Sequence, residues 1–381
     1  MNQAKNSLYK CRIPRAILVQ LCLVISVVFI IWVGVTNLFD NMAARGLASG
    51  FAFLDDPAGF DIIFSLIRWD ESMSNGRAFW VALLNTILVS VLSIIFSTFL
   101  GFIFGVARLS SNWLVKRIAA VWVETIRNIP LLLQLFVWYF GFIQSLGGPR
   151  QSLSLFNSFF LNVRGFYFPW PDNPLLLFSM AALIFVTFTA YILLSVRGNN
   201  SRLFHIASWV FFAVMGGCFY IYGETATFEI PALQGFNFQG GAVMVPELLA
   251  LFLGLSTYTS AFIAEVIRAG IQSVPRGQTE ASLALGLSRY STLRLILIPQ
   301  AMRVIVPPLA NQYLNLTKNS SLGSAIAFPE LVLVFAGTVL GQTGMAVEII
   351  AMTMIVYLLL SLLIAGLMNI YNAWTIRHGG A

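Results

Sequence analysis

Long apolar stretches alternate with short segments that carry most of the charge along this 381-residue chain. A helix that crosses the hydrocarbon core of a bilayer needs about 20 mostly apolar residues. Eight stretches qualify: 16–36, 79–107, 119–145, 174–196, 205–222, 247–270, 304–340 and 344–371. Inside a bilayer the backbone must satisfy its own hydrogen bonds, which a helix does within one segment. The pattern therefore predicts an all-α, polytopic membrane protein with about eight transmembrane helices. The seventh stretch is too long, and too polar at its centre, to be one regular helix.

Composition agrees with that reading. With 58% hydrophobic and 10% charged residues and a mean hydropathy of +0.83, the chain has more apolar surface than a soluble core of this length could hide. Basic residues are retained on the cytoplasmic side of a membrane. Counting from an inside N-terminus, one side collects Lys5, Lys10, Arg12, Arg15, Arg108, Lys116, Arg117, Arg197, Arg202, Arg268, Arg276, Arg289, Arg294, Arg303 and Arg377. The other holds Arg45, Arg68, Arg77, Arg150 and Arg164, together with most of the acids. Both termini are therefore expected in the cytoplasm. The net charge of +7 is scattered singly over several loops, unlike the basic patch of a nucleic-acid-binding surface.

Residues 1–36 have the basic start and apolar run of a signal peptide. That run exceeds the ~7–15 residues of a cleavable segment, so an uncleaved first span is expected, although Leu47-Ala48-Ser49 resembles a cleavage site. Cys11, Cys22 and Cys218 fall in cytoplasmic or intramembrane positions and offer no disulfide framework. His205 lies beside a span and His378 at the tail, so no metal site is expected. Segment 37–78 reads as an outer loop whose stretch 60–67 forms an interfacial helix. The loop 146–173 is a second outer connector, with Trp and Tyr suited to headgroup depth.

The chemistry concentrates in 280–299, on the basic side. Glu280-Ala281 opens this loop, Gly286 follows after four more residues, and Ile296 and Pro299 close it. Glycine at 286 permits a bend between two short helices. Glu280 can cap backbone N–H groups or pair with Arg276 or Arg289. The spacing resembles the EAA loop through which permeases of ABC importers dock their ATPase, with Ser282 and Ile298 as conservative departures. An ordinary amphipathic loop is the alternative for the Glu-Ala and Gly alone. The chain carries no Gly-x-x-x-x-Gly-Lys-Ser/Thr cradle for nucleotide phosphates. The resemblance thus implies a transport subunit without its own cofactor, its ATP bound by a partner.

Spans 79–145 and the region from 247 onward resemble the core of a type I ABC importer permease of the polar amino-acid group. This divides the chain into 1–78, a tail, first span and outer loop; 79–372, the permease domain; and 373–381, a cytoplasmic tail. Residues 146–246 then look like an insertion with two extra spans. The strings Asn-Leu-Phe-Asp-Asn-Met-Ala-Ala-Arg-Gly at 37–46, Gly-Phe-Ala-Phe-Leu at 50–54, Ala-Gly-Phe-Asp-Ile at 58–62 and Leu84-Asn85-Thr86 resemble permeases of general L-amino acid uptake. That family implies an ABC ATPase subunit, a second and non-identical permease subunit, an extracytoplasmic amino-acid-binding protein and an L-amino acid substrate, all around a chain held in the lipid of a bacterial inner membrane. Methionine or small peptides are alternative substrates, and a secondary transporter driven by an ion gradient is the rival mechanism.

Intramembrane polar residues are expensive and mark candidate pathways. Lys318, Asn319, Ser320 and Ser321 interrupt the seventh stretch. Read as a broken helix, 319–321 would start a second half whose N-terminus favours the carboxylate of an amino acid, with Lys318 adding charge. Read otherwise, 317–321 is an outer turn between two helices. Asn311, Gln312 and 318–322 match a pattern of the same permeases. Glu265 with Arg268, and Glu124 with Arg127, sit at helical i, i+3 spacing and suit ion pairs, Glu265 also being a candidate for the substrate ammonium. Residues 127–134 resemble another signature of amino-acid permeases, in which Pro130 kinks a helix and Gln134 faces the pathway.

Overall fold

A computed structural model describes residues 15–44, 50–172 and 227–378, with isolated positions between 179 and 220. Ten helices are described: α1 (Arg15–Ala44), α2 (Asn75–Ala107), α3 (Trp113–Asn128), α4 (Leu131–Phe136), α5 (Pro246–Gln272), α6 (Arg276–Ala284), α7 (Arg289–Thr292), α8 (Ile298–Asn319), α9 (Leu340–Thr343) and α10 (Ala346–His378). Among the described residues four helical stretches are long and apolar enough to cross a membrane: α2, α5, residues 289–326 and α10. A fifth crossing arises if α3 and the helical stretch from Leu131 are taken as one span. In α1 the apolar part, Val19–Gly34, is shorter. Most of the expected span 174–196 and half of 205–222 fall outside the described residues.

Parallel packing of α2 and α5 organises the bundle. Along α2 the buried positions Ala78, Ala82, Asn85, Val89, Ser93, Ser97, Gly101 and Gly105 recur every three or four residues, one stripe of a helix surface. Its inner half is reduced to Ser, Ser, Gly and Gly. A Cβ on Gly101 would lie 2.6 Å from Ile263, and one on Gly105 2.9 Å from the Ala264 carbonyl oxygen. Without a hydrophobic drive between helices in lipid, such small residues let backbones approach and gain dispersion contacts. Since 101 meets 260–263 and 105 meets 264–267, the two helices run in the same direction.

The remaining elements wrap α5. Its apolar window is 61% buried, against 28% in α2 and 17% in α10, which makes α5 the centre. Gly270 packs on Ala301 and Ile305, while Gly323 packs on Leu251, so α8 runs back antiparallel to α5. Glu348, at the start of α10, accepts a hydrogen bond from Gly50 N at 2.9 Å. Met368, farther along α10, joins the cluster of Ile263, Ile267 and Ile305. One end of the bundle thus gathers Arg108, α6, α7 and the later turns of α10. The opposite end gathers Ser74, Pro246 and Glu348.

That opposite end departs from the all-α expectation. Among the described residues eight short strands lie there: β1 (Leu153–Leu155), β2 (Phe159–Asn162), β3 (Gly165–Phe168), β4 (Trp170–Pro171), β5 (Phe228–Glu229), β6 (Ala232–Gln234), β7 (Asn237–Gln239) and β8 (Ala242–Met244). They form an antiparallel sheet of order β1-β2-β3-β8 and the pairs β4–β5 and β6–β7. Phe166 faces Met244 and Trp170 faces Glu229, so residues on the two sides of 173–226 meet. Phe, Tyr and Trp on these strands favour the extended backbone, and only the short length of the segments hid it. Leu161 and Phe166 pack on the core formed by Leu248, Leu251, Leu135 and Ile143.

The stretch 60–67 is likewise irregular rather than helical. Its polar groups are used locally: Asp61 Oδ1 accepts from Ile62 N at 2.7 Å, and the Phe64 carbonyl accepts from Asn85 Nδ2 at 2.9 Å. Phe53 and Ile62 are buried against Val81, Leu331 and Phe335, so this loop is a plug on the bundle.

If α2 and α5 depend on backbone contact, Gly101→Val destabilises the protein by about 1–3 kcal/mol through overpacking. Gly366, with nothing within 4 Å of an added Cβ, should accept Val with little change. Thermal melts of the two purified variants make the comparison, and equal midpoints would refute the close-contact account.

Candidate functional site

The loop 280–299 folds into a compact knob at the end of the bundle that carries Arg108, Arg276, Arg289 and Arg294. Helix α6 ends in two nested hydrogen bonds, Gly286 N to the Leu283 carbonyl at 3.0 Å and Leu287 N to the Ser282 carbonyl at 3.1 Å. This is the Schellman pattern, which requires a left-handed residue at its hinge. Gly286 supplies it, with φ +79° and open space where a Cβ would stand. Ser288 then caps α7 by accepting from Ser291 N at 3.1 Å. The two short helices are tied by Ser282, whose buried hydroxyl donates to Thr292 Oγ1 at 3.0 Å. Ser282 is therefore more than a small residue tolerated in the motif.

The apex is apolar and exposed. Leu285 is 82% accessible and Tyr290 69%, with Leu283 and Leu293 beside them. Ala281 and Glu280 are exposed on α6. Among the described residues Glu280 makes no ion pair with Arg276 or Arg289, so its carboxylate stands free on the knob. Beyond α7 a wide turn, Leu293–Leu297, contains the half-buried Ile296 and leads into α8. Pro299 lies in the first turn of α8. Its ring would clash with the carbonyl four residues earlier in a regular helix, and the wide turn covers that position.

The bend between α3 and α4 measures 106°, far more than the kink expected at Pro130. A residue before proline is driven to extended backbone, and Ile129 has ψ 127°. Gln134 is used at this bend. It is 5% exposed, and its Nε2 donates to the carbonyls of Ile126 at 2.8 Å and Ile129 at 2.9 Å. It thereby satisfies the carbonyls that the interrupted helix leaves unpaired.

The expected break at 317–321 is also displaced. Helix α8 runs through Lys318 to Asn319 and passes directly into a tighter turn, Ser320–Ile326. The hydroxyls of Ser320, Ser321 and Ser324 each donate back to a carbonyl three residues earlier, at 2.7 to 2.8 Å. The backbone stays helical through these serines, so they continue the helix and do not start a new one. The chain breaks instead at Ala327, which is left-handed at φ +61°. The next half starts at Glu330, and its own carboxylate accepts from Val332 N and Leu333 N at 2.8 Å each. The helix N-terminus expected to hold an anion is thus filled from within. Lys318 is exposed, Asn319 half-buried and Ser320 fully buried.

Glu265 is the hub of an ion cluster. Its Oε2 accepts from Arg108 at 2.5 Å and from Arg268 Nε at 3.1 Å, and its Oε1 accepts from Arg268 at 2.5 Å. Glu124 pairs with Arg108 at 3.6 Å, not with Arg127, whose guanidinium lies 5.1 Å from the Phe262 ring centroid. Sequence spacing suggested the Glu265–Arg268 pair but not Arg108, which is 157 residues away. Glu330 was not singled out either, although a Pro-Glu pair ahead of an apolar run is an ordinary helix-start signal.

Residues 97–377 match the family described as the binding-protein-dependent transport system inner membrane component. The chain belongs to that family. It is a permease, a membrane-embedded transport subunit of ATP-driven import systems. It is 49% identical over 94% of its length to the putative amino-acid ABC transporter permease YhdX of Escherichia coli (strain K12), covering 93% of that protein. It is 43% identical to the general L-amino acid transport system permease AapQ of Rhizobium johnstonii, over 94% of this chain and 92% of AapQ. Identity to the glutamate/glutamine/aspartate/asparagine transport system permease BztB of Rhodobacter capsulatus is 37%, over 94% and 93% of the two chains. The knob lies within the matched region of the permease.

Removing the donors of Gln134 leaves two helix-end carbonyls unsatisfied. Gln134→Glu keeps the shape but accepts only, and should destabilise the permease by about 1–3 kcal/mol. A melt unchanged from wild type would show that the bend does not rely on this amide.

Proposed function

We propose that this permease carries L-amino acids inward across the inner membrane, driven by a separate ATPase whose groove receives the knob at 280–299. The observation that carries the reading is the knob itself: a capped helix pair with Leu285 and Tyr290 held out from the surface. Exposed apolar and aromatic anchors ringed by polar residues suit a protein groove. The bundle end bearing the knob also bears the basic residues, which supports a cytoplasmic position for it and for the end of α10. The relatives named for amino-acid transport support the substrate class. Nucleotide is bound by the partner, since the chain carries no phosphate cradle of its own. A second permease subunit and an extracytoplasmic binding protein complete the system, the latter meeting the end that carries the β-strands.

Gly286→Asp replaces a left-handed glycine by a charged residue in the space a partner would occupy. Loss of an interface anchor worth ~2 kcal/mol weakens association about 30-fold. The variant should insert normally, yet release its ATPase on purification and lose uptake of radiolabelled L-amino acids. Normal uptake would end the docking assignment.

The orientation predicts one-sided labelling. In a chain whose own cysteines are replaced by Ser, a Cys at Tyr290 should react with impermeant thiol reagent only from the cytoplasm. A Cys at Phe156, 83% exposed on the strand-bearing end, should react only from outside. The reverse pattern would invert the permease in the membrane.

A further inference from the structure

The Arg108–Glu265–Arg268 cluster occupies a particular place in the chain. Arg108 is the residue that ends α2. Glu265 and Arg268 lie on the last two turns of α5, and Arg268 also donates to Gln272, the final residue of that helix, at 2.5 Å. Only Ser273, Val274 and Pro275 separate Gln272 from Arg276, where the knob begins. Through Arg108 the same cluster reaches Glu124 on α3. Glu265 therefore ties α5 to α2 immediately before the knob, and Arg108 carries the link on to Glu124 of α3.

The packing around the cluster makes that tie consequential. Gly105, one turn before Arg108, lies against the Ala264 carbonyl and the Ile267 side chain. Ile263 and Ile267 fill the space over Gly101 and Gly105, a dispersion contact that holds the helices close but carries no hydrogen-bond direction. The ion cluster supplies the directional restraint. Arg108 has a side chain only 13% exposed, Glu265 26% and Arg268 27%. Partial burial protects these forked hydrogen bonds from the screening that weakens surface pairs.

We infer that Glu265 is a positioning residue for coupling: it locks the end of α5 to α2, and through Arg108 to α3, so that displacement of the knob moves the helix bundle instead of being absorbed at 273–275. This rests on the proposed reading of the knob as the ATPase contact. Both oxygens of Glu265 accept from arginines, the arrangement of a structural tie.

The test uses the complete transporter, purified through this permease and reconstituted with its binding protein and a radiolabelled mixture of the common L-amino acids. ATP hydrolysis and uptake are measured on the same vesicles. Glu265→Gln should assemble, bind its ATPase and hydrolyse ATP at the basal rate, while uptake per ATP falls about 5-fold or more, the scale of a typical coupling free energy. Arg108→Gln should do the same, and the double variant should be no worse than either single one, because one link is lost in all three. Glu265→Asp, which keeps the charge with a shorter reach, should recover part of the ratio. Should Glu265→Gln fail to assemble, Glu265→Asp decides, through a lowered ratio in an intact complex. Wild-type coupling in Glu265→Gln, or in Glu265→Asp where Gln fails, overturns the inference, as do additive losses in the double variant. Failure of the underlying reading looks different: the wild-type chain would then retain no ATPase and show no ATP-dependent uptake.

Discussion

Close contact between two parallel helices is the constraint on which this permease is built. In lipid, apolar side chains gain nothing by leaving the solvent, so helices hold together through packing and polar links. The run Ser93, Ser97, Gly101, Gly105 brings α2 against α5, and α5, buried on most of its surface, becomes the post around which α3, α4 and α8 pack. The direction of α2 relative to α5 fixes which ends coincide. From this it follows that Arg108, Glu265 and the knob share one end while the strands share the other.

A second constraint shapes every departure from a straight helix. Backbone groups freed inside the bundle must find partners within the protein. Gln134 takes up carbonyls at the α3–α4 bend, Glu330 takes up amides after Ala327, and the serines of 320–324 return to their own helix. Tyr357 donates to Glu330 at 3.1 Å, and Thr86 accepts from Leu331 N at 3.1 Å, which ties the second break to α10 and α2. Of the polar residues that read as substrate contacts in the sequence, Gln134, Glu265, Ser320 and Ser321 are hydrogen-bonded within the fold in this conformation, while Lys318 is exposed.

This explains what the sequence discloses and what it withholds. Apolar length announces spans directly, and α2, α5 and α10 match stretches 79–107, 247–270 and 344–371 within a few residues. The knob is legible because its requirements are local: a left-handed glycine, a capping serine and fixed spacing. Partners for long-range polar residues are not local. Arg108 meets Glu265, and Asn85 meets the Pro329 carbonyl at 2.9 Å, only because helices distant in sequence pack together. The strands at 153–171 and 228–244 were missed for another reason, since two- to four-residue segments rich in aromatics look like loop in a membrane protein.

The position of the second break has a further consequence for where substrate can bind. An anion is attracted to a helix start because unpaired amides and the helix dipole face it. At 330–333 those amides are taken by an ionisable side chain of the same segment, which is fully buried. A substrate carboxylate approaching this helix start would meet Glu330 before it met an N–H group. Among the described residues of the 304–340 stretch the exposed polar side chains are Asn311, Asn315 and Lys318 of α8, so the polar groups that remain accessible lie ahead of the break and not at the helix start beyond it.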